Sequence, residues 1–391
     1  MKEVLLIAGS FTSANFNVML DVIRAKYGKA LMIHAISANN DPQKLLAQYD
    51  DVKYYPVYNY KLFLSKKNRE QQTFWTHLLF SLVCIYTNVA ENFYPMAYER
   101  KIYRIGKSIL QKENIDTLFS VCMPFYAHRV AYKLIKKRNI RWYSFWVDPY
   151  LNKGVKMSGL QRWFHRYAER RNLQHSSIVY ALPEVFDNHE LQQEFKYKIQ
   201  TFEIPYITER EVSIKNRDIV FAGLFYKGVR EPEPMFDIVL KALPQLPKEI
   251  VFKFYVRNPD CYSEITSKSQ GRMQFYDFVN RNELNTILSE CYMLMNVGNM
   301  NPVQMPSKVV EYISFRKPIL FFYCDKEDRS FRFFKDYPDV LPIFVSGDKK
   351  ESAEKLVAFL NEQHFVVSYD KLLENSLYCK STPQYIKTIL K

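Results

Sequence analysis

A lysine and a glutamate lie three residues apart near the start of a predicted helix, where both could bind a ligand. The stretch runs Pro306-Ser-Lys-Val-Val-Glu311 and follows a polar loop at the end of a buried strand. Pro306 suits the first helical position, and the N–H groups of Ser307 and Lys308, together with the Lys308 ammonium, form an anion site. Glu311, one turn deeper, could accept hydrogen bonds from a ribose diol. The alternative is a Lys–Glu surface pair worth only about a few tenths of a kcal/mol.

The elements that must position these residues follow from a regular alternation along the chain. Apolar runs of strand length alternate with amphipathic runs of helix length, which is typical of a doubly wound parallel sheet. The predicted strands are 4–8, 30–36, 117–121, 142–147 and 177–182, then 218–222, 250–256, 273–279, 292–297, 318–323 and 341–345. The predicted helices are 15–26, a long region within 71–111, 126–138, 158–171, 232–243, 281–291, 306–316 and 351–361.

The alternation occurs in two series, so we expect two domains. A length of 391 residues fits two domains of ~150 residues each. Pro205 and a cluster of charges interrupt the pattern near residues 202–212. We predict an α/β fold of two Rossmann-like domains facing a cleft, with ligands at the carboxyl ends of the strands. The predicted boundaries are 1–205 for the first domain, 206–370 for the second domain, and 371–391 for a helical segment that packs back on the first domain.

Composition excludes a disordered or fibrous chain, because 48% of the residues are hydrophobic and 25% are charged. Lysine and arginine exceed the acids by 14, and residues 98–175 hold 17 basic residues against five acids. At helical spacing within this region lie Arg162, Arg166 and Arg170, beside Trp163, Phe164 and Tyr167. Such a basic and aromatic face suits an anionic membrane surface. A basic helix face in contact with water is an equally good interpretation.

The cysteines and the apolar runs favour a cytoplasmic protein. The six cysteines are scattered without a CxxC pair, which argues against zinc and against a disulfide framework. The apolar run 4–8 is too short for the core of a signal peptide, and the run 80–86 is well short of the ~20 residues that span a bilayer. No Asp-x-Asp pair is present, so we expect no metal site.

Several motifs resemble those of retaining glycosyltransferases of the two-domain GT-B, family-4 type, which build bacterial capsular and lipopolysaccharide sugars. Asn296-Val-Gly-Asn, followed by Pro-Ser-Lys-Val-Val-Glu311 and Lys-Pro-Ile, is similar to their strand–loop–helix that holds the donor nucleotide. The segment from Phe221 to Arg230 looks like their glycine loop, whose downstream basic residue binds the donor diphosphate. Residues 278–284 resemble the loop whose backbone contacts the base, and residues 124–128 and 146–150 are similar to loops facing the acceptor.

The resemblance implies a set of site residues, with two departures from the family pattern. Val303 stands where relatives often carry the first glutamate of a Glu-x7-Glu pair, and Leu224 stands where many carry an arginine. The diphosphate role therefore falls to Lys227 or Arg230. The implied donor-binding residues are Gly223, Lys227, Arg230, Val279, Asn296, Gly298, Asn299, Ser307, Lys308 and Glu311.

Two further residues, His128 and Asp148, are candidate catalytic groups in the first half. His128 is expected before a helix, where it could contact donor or acceptor hydroxyls. A loop histidine with water partners is the alternative. Asp148 could orient an acceptor hydroxyl or act as a base, whereas a turn-forming Asp-Pro is the alternative.

The resemblance implies a hexosyltransferase that moves a sugar from a nucleotide-diphosphate sugar to a lipid-linked or oligosaccharide acceptor, with retention and without cofactor or metal. Fixed cations stabilise the charge on the leaving diphosphate. The implied location is the cytoplasm, at the inner membrane surface, and no nucleic-acid partner is expected. Two alternatives stay open: a nucleotide-sugar epimerase or hydrolase of the same fold, and a non-catalytic basic module that binds an anionic polymer.

Overall fold

The protein forms two compact units in the computed structural model. The first unit comprises Met1–Glu203 with Ile386–Lys391, and the second unit comprises Ile204–Tyr385. The structure describes residues 1–11, 14–28, 30–38, 49–59, 73–76, 78–79, 81–82, 97–122, 125–147, 159–186, 190–225, 228, 230–300 and 308–389.

In the described part of the first unit, seven parallel strands form one sheet in the order β3-β2-β1-β4-β5-β6-β7. The strands are β1 Lys2–Ala8, β2 Leu31–Ser37, β3 Val52–Pro56, β4 Thr117–Cys122, β5 Arg141–Trp146, β6 Ile178–Ala181 and β7 Ile199–Thr201. The helices are α1 Ala14–Tyr27, α2 Ala97–Lys112, α3 Tyr126–Ile135, α4 Gly159–His175 and α5 Glu190–Phe195. A core between sheet and helices includes Leu118, Tyr126 and Trp142.

In the described part of the second unit, six parallel strands form a sheet in the order β10-β9-β8-β11-β12-β13. The strands are β8 Asp218–Ala222, β9 Val251–Tyr255, β10 Met273–Tyr276, β11 Met293–Val297, β12 Ile319–Tyr323 and β13 Val340–Phe344. The helices are α6 Glu233–Ala242, α7 Ser263–Lys268, α8 Arg281–Glu290, α9 Lys308–Ser314, α10 Phe331–Phe334, α11 Lys349–Asn361, α12 Tyr369–Leu373, α13 Ser376–Lys380 and α14 Pro383–Ile389, which runs into the first unit.

Burial on both sheet faces explains why the strands are continuous apolar runs. Every residue of β8 and β11 is buried. Helix α6 packs against α11, and both cover a core that contains Phe252, Phe254 and Leu320. Side-chain caps start two of the helices, because Asn280 accepts from the Glu283 N–H and Asp348 accepts from N–H groups of α11. Because the strands of the second unit are parallel, their carboxyl ends lie at one edge of the sheet, where ligands bind in such folds.

The predicted fold class is confirmed: both units are α/β with parallel, doubly wound sheets. Three predictions of elements are corrected. Strands β3 and β7 were not predicted, and β10 ends at Tyr276, so Val279 lies in the loop before α8. Most of the apolar run 80–86 lies outside the described residues. Among the helices that the structure describes, none has both the length and the apolar composition to cross a membrane.

Candidate functional site

The candidate site lies where the strand order of the second unit changes direction, between the neighbouring strands β8 and β11. Gly223 follows β8 and donates its N–H to the carbonyl oxygen of Tyr255, at 3.0 Å. Gly298 follows β11 and donates its N–H to the carbonyl oxygen of Phe322, at 2.8 Å. Both glycines thus sit at the carboxyl edge of the sheet. A crevice at such a switch point is where open α/β sheets bind ligands.

The turn after β11 is built on a buried carboxylate. Asp328 is 3% exposed and accepts hydrogen bonds from the N–H groups of Ser330, at 2.8 Å, and Asn299. A Cβ atom on Gly298 would lie only 2.2 Å from Oδ2 of Asp328, so only glycine fits there without movement. Burial raises the pKa of Asp328, while its hydrogen bonds and nearby Arg230 oppose the rise.

Arg230 connects the two loops of the site. Its Nη2 donates to Oδ1 of Asn299 at 2.8 Å, and its Nη1 lies 3.4 Å from the carbonyl oxygen of Leu224. One guanidinium therefore joins the loop after β8 to the turn after β11. Of the two basic residues considered for the diphosphate, Arg230 has this position, whereas Lys227 lies outside the described residues.

Helix α9 carries Lys308 and Glu311 to the same place. The hydroxyl of Tyr312 accepts from the Ala222 N–H at 3.0 Å and approaches the Ala222 carbonyl oxygen at 3.4 Å, which fixes α9 beside the end of β8. Glu311 is 3% exposed. Nζ of Lys308 lies 5.9 Å from the ring centre of Tyr312. Burial lowers the pKa of Lys308, and only Glu311 among its charged neighbours opposes this.

Two arginines that the sequence analysis did not single out face Glu311. Nη2 of Arg281 lies 2.7 Å from Oε1 of Glu311, and the Arg281 side chain is 54% exposed. Arg210 donates from Nε to Oγ of Ser314 at 2.8 Å and is within electrostatic reach of Glu311. Arg281 directly follows the loop that contains Val279, so its position after the predicted strand could have identified it as a site residue. Arg210 lies in the predicted linker, where nothing in the sequence pattern indicated a site residue.

The structure therefore brings most of the described donor-site residues together. Asn296 and Asn299 are buried at 3% and 5% exposure, and Val279 lies two residues before Arg281. Nδ2 of Asn296 has no hydrogen-bond partner among the described residues. Ser307 lies outside the described residues, as does Asp148 in the first unit. The chemistry assembled here is a group of cations around one buried carboxylate, which suits a phosphorylated ligand that also carries hydroxyl donors.

His128 has surroundings that the sequence did not predict. Helix α3 begins at Tyr126, so His128 lies inside its first turn, with an exposed fraction of 0%. Its Nδ1 lies 2.7 Å from Oγ of Ser120, and its ring packs against Trp142 and Trp146. Burial lowers the pKa of His128 to about 3, so the ring is neutral at physiological pH. The expected position before the helix is therefore wrong, and so is the alternative of a loop histidine with water partners, whereas a catalytic role stays a prediction.

The described histidine, cysteine and carboxylate side chains bear on metal and disulfide chemistry. Within the described ranges, no three histidine, cysteine, aspartate or glutamate side chains gather into a group that could hold a metal ion. The described cysteines with free thiols are Cys122, Cys261, Cys291, Cys324 and Cys379.

Comparison with known proteins supports the fold. No protein-family model and no curated protein matches the chain. Among solved structures it is similar to the N-terminal domain of Candida albicans trehalose-6-phosphate phosphatase, with 12% identity, a TM-score of 0.59, and coverage of 100% of this chain and 96% of that one. The sucrose-phosphate synthase of Thermosynechococcus elongatus is 11% identical, with a TM-score of 0.55 and coverage of 100% of this chain and 94% of that one. S. aureus MnaA, solved with UDP, is 11% identical, with a TM-score of 0.54 and coverage of 99% of this chain and 94% of that one. Likenesses at this identity establish a fold, and the chain accordingly has the GT-B fold of two Rossmann-like units.

Proposed function

We propose that the protein is a glycosyltransferase that takes a sugar from a nucleotide-diphosphate donor. The observation that carries this proposal is that Arg281 and Lys308 lie near the buried carboxylate of Glu311, with Arg230 within electrostatic reach of Lys308, at the switch point of the second sheet. Cations bind a diphosphate, and a buried carboxylate accepts hydrogen bonds from a ribose diol. The fold agrees, since MnaA of similar fold was solved with UDP and another similar chain is a sucrose-phosphate synthase.

In the reaction, the bond between the anomeric carbon and a diphosphate oxygen breaks, and its electron pair stays on the diphosphate. An acceptor hydroxyl oxygen forms the new bond, and the hydroxyl proton leaves with the diphosphate. Lys308 and Arg230 stabilise the negative charge that develops on the leaving group, because they are fixed before the reaction begins. We propose that transfer proceeds with retention at the anomeric carbon and requires no metal ion, since the chain itself supplies these positive charges.

For the acceptor we propose a saccharide carried on a lipid, within the synthesis of a capsule or a lipopolysaccharide. The sugar is a hexose in this proposal, and the enzyme works at the cytoplasmic face of a membrane. The basic and aromatic residues of the first unit support this choice, because a lipid-linked acceptor is presented at a negatively charged surface.

The first experiment is a thermal-unfolding measurement with UDP, GDP, ADP and CMP. A ligand at ~100 times its dissociation constant adds about 2.7 kcal/mol to the free energy of unfolding, so the correct nucleotide stands out. The Lys308→Ala variant keeps the fold but loses detectable transfer from the matching sugar nucleotide, because removing such a charge costs on the order of 3 kcal/mol, a hundredfold or more in rate. Normal turnover by this variant contradicts the proposal.

The same experiments separate the two alternatives. Conversion of the sugar nucleotide without an acceptor indicates an epimerase or a hydrolase. A chain that gains no stability from any nucleotide but binds an anionic polymer, with strong dependence on salt, is a binding module.

A further inference from the structure

The sheet of the first unit has a switch point of its own. Its strand order changes direction between the neighbouring strands β1 and β4, and open α/β sheets bind ligands in the crevice at such a point. Helix α3 begins at this edge. The hydroxyl of Tyr126 donates to the carbonyl oxygen of Ala8 at 3.0 Å and accepts from the Ala38 N–H at 3.0 Å. These bonds fix the first turn of α3, which contains His128, across the ends of β1 and β2.

The side chain of His128 ends a buried chain of hydrogen bonds. Nε1 of Trp142 donates to Oγ of Ser120 at 2.7 Å, and the same Oγ lies 2.7 Å from Nδ1 of His128. All three side chains are buried. The ring of Trp146 packs against the imidazole, with the two ring centres 4.7 Å apart. Nε2 of His128 has no hydrogen-bond partner among the described residues.

Only one direction of this chain satisfies the serine hydroxyl. An indole nitrogen only donates, and a serine hydroxyl has one hydrogen. If Nδ1 of His128 carried a hydrogen, Oγ of Ser120 would accept twice, and its own hydrogen would have no acceptor in the described part of the chain. The hydroxyl therefore donates to Nδ1, and the hydrogen of the neutral ring is on Nε2. Burial and the nearby charge of Arg129 lower the pKa of His128 to about 3, so the ring carries no second hydrogen at neutral pH.

A second buried chain on the next strand has the same beginning but a complete end. Ser144 of β5 is the register partner of Ser120 of β4. Nε1 of Trp146 donates to Oγ of Ser144 at 3.0 Å, and this Oγ lies 2.9 Å from Oγ of Ser176. Ser176 donates in turn to the carbonyl oxygen of Asn172 at 2.8 Å. Every donor of this second chain thus has an acceptor, whereas the imidazole N–H of the first chain has none in the described ranges.

The unpaired N–H lies in the helix turn that the switch point positions. Nearly all buried N–H groups in proteins are paired, because an unpaired one costs free energy. We propose that Ser120 is a positioning residue that holds His128 as a neutral donor, and that Nε2–H donates to a hydroxyl oxygen of the saccharide acceptor. The inference rests on the proposed function, because that function supplies a ligand rich in hydroxyl oxygens.

The same arrangement excludes His128 as the base of the transfer reaction. A base needs a free lone pair to accept the hydroxyl proton. The lone pair on Nδ1 already accepts the hydroxyl of Ser120, and Nε2 carries the hydrogen. His128 therefore orients the acceptor hydroxyl and takes no proton from it. This agrees with a reaction in which the acceptor proton leaves with the diphosphate.

Nitrogen NMR of the full chain, with isotope-labelled histidine, tests the tautomer without any substrate. The signals of His128 are those that disappear in the His128→Gln variant. We expect Nε2 to carry the hydrogen and Nδ1 to carry none between about pH 5 and pH 8, where an ordinary histidine titrates. Ser120→Ala lets the hydrogen move to Nδ1 in part of the molecules. The matched control Ser144→Ala removes a hydroxyl from the paired position of the next strand and keeps the original tautomer.

The kinetics of sugar transfer test the contact with the acceptor. Ser120→Ala lowers kcat/KM roughly fivefold, the factor for one hydrogen bond between neutral groups, and Ser144→Ala leaves it unchanged. His128→Gln keeps an N–H donor in place of Nε2, so it loses less than His128→Leu, which falls roughly tenfold or more. The pH profile of His128→Gln has the shape of the original profile. The four variants keep the stabilisation by nucleotide, which identifies any misfolded protein.

Three outcomes overturn this inference. They are a hydrogen on Nδ1 of His128 in the original protein, a Ser120→Ala variant with the tautomer and the kcat/KM of Ser144→Ala, and an acidic limb of the pH profile that disappears in His128→Gln. If no nucleotide stabilises the original protein, the proposed function fails, and the acceptor contact fails with it. A wrong tautomer in a chain that a nucleotide does stabilise is a failure of this inference alone.

Discussion

Replacing Glu311 by glutamine tests the ribose contact, which is the least ordinary feature of the proposed donor site. The substitution keeps the size of a side chain that is 3% exposed but removes its charge. It also breaks the ion pair in which Arg281 approaches to 2.7 Å. A nucleotide whose diol binds Glu311 must replace or share that pair, so the change affects the ligand-free protein as well.

The expected loss of affinity follows from the strength of the two kinds of hydrogen bond. A bond to a charged group contributes about 1.5–3 kcal/mol, and one between neutral groups about 0.5–1.5 kcal/mol. The difference of about 1–2 kcal/mol corresponds to a factor of roughly 5 to 30 in the dissociation constant. The variant also no longer has the ion pair with Arg281 to give up when the nucleotide binds, which offsets part of this loss, because the Arg281 side chain is 54% exposed and its pair with Glu311 is partly screened by water. We expect a loss of about tenfold.

Calorimetric titration of both proteins with a nucleoside diphosphate and with its 2′,3′-dideoxy analogue isolates the contact. Removing the ribose hydroxyls weakens binding to the original protein about tenfold, but binding to Glu311→Gln about threefold or less, as in a double-mutant cycle. Glu374→Gln, at an exposed position of the second unit, behaves as the original protein. Equal losses on both proteins refute the contact between Glu311 and the diol.

Three further predictions concern pH and packing. Burial and neighbouring arginines lower the pKa of Lys308, so its ammonium loses its proton at a lower pH than an ordinary lysine does. Titration therefore shows diphosphate affinity falling as the pH rises, beginning below the range in which an ordinary lysine titrates, and Lys308→Arg removes this dependence. Gly298→Ala lowers nucleotide affinity at least tenfold by displacing Asp328, whereas Gly159→Ala, with no atom near its Cβ, leaves it unchanged. Burial lowers the pKa of His128 to about 3, so between about pH 6.5 and pH 3 the unfolded chain binds a proton at this residue that the folded chain does not bind. The free energy of unfolding, measured in urea, therefore falls as the pH falls through this range. An equal fall in the His128→Gln variant contradicts this prediction.

The sheets could be predicted from the sequence because most strands are buried on both faces. The strand Asp218–Ala222 was predicted to the residue, since all five side chains are buried, polar residues precede the run and Gly223 follows it. Strands β3 and β7 lie at the edges of their sheet, where one side lacks a neighbour. Their residues are largely half-exposed or exposed, so no apolar pattern distinguishes them from loops.

The candidate site was predictable only where its residues are close in sequence. Lys308 and Glu311 share one helix turn, and Gly298 and Asn299 share one turn, so local spacing revealed them. The contact of Arg281 with Glu311 depends on the first turns of two different helices, α8 and α9, meeting at one sheet edge. The spacing of residues along the chain does not reveal such a contact.

Asp328 is another residue whose place in the site could not be predicted from the sequence. In the sequence it belongs to a charged run, Asp325-Lys-Glu-Asp328, which is typical of an exposed loop. In the structure its carboxylate is buried against Gly298, because β12 ends beside β11 and brings the two turns together. Its part in shaping the site follows from this neighbourhood.

The most direct test of the account is a structure of the full chain with a bound nucleoside diphosphate. We expect its phosphates within hydrogen-bond distance of Nζ of Lys308 and of the guanidinium of Arg230, and its ribose hydroxyls on the carboxylate of Glu311. A nucleotide bound elsewhere on the chain, or phosphates that contact neither cation, contradicts the proposed donor site.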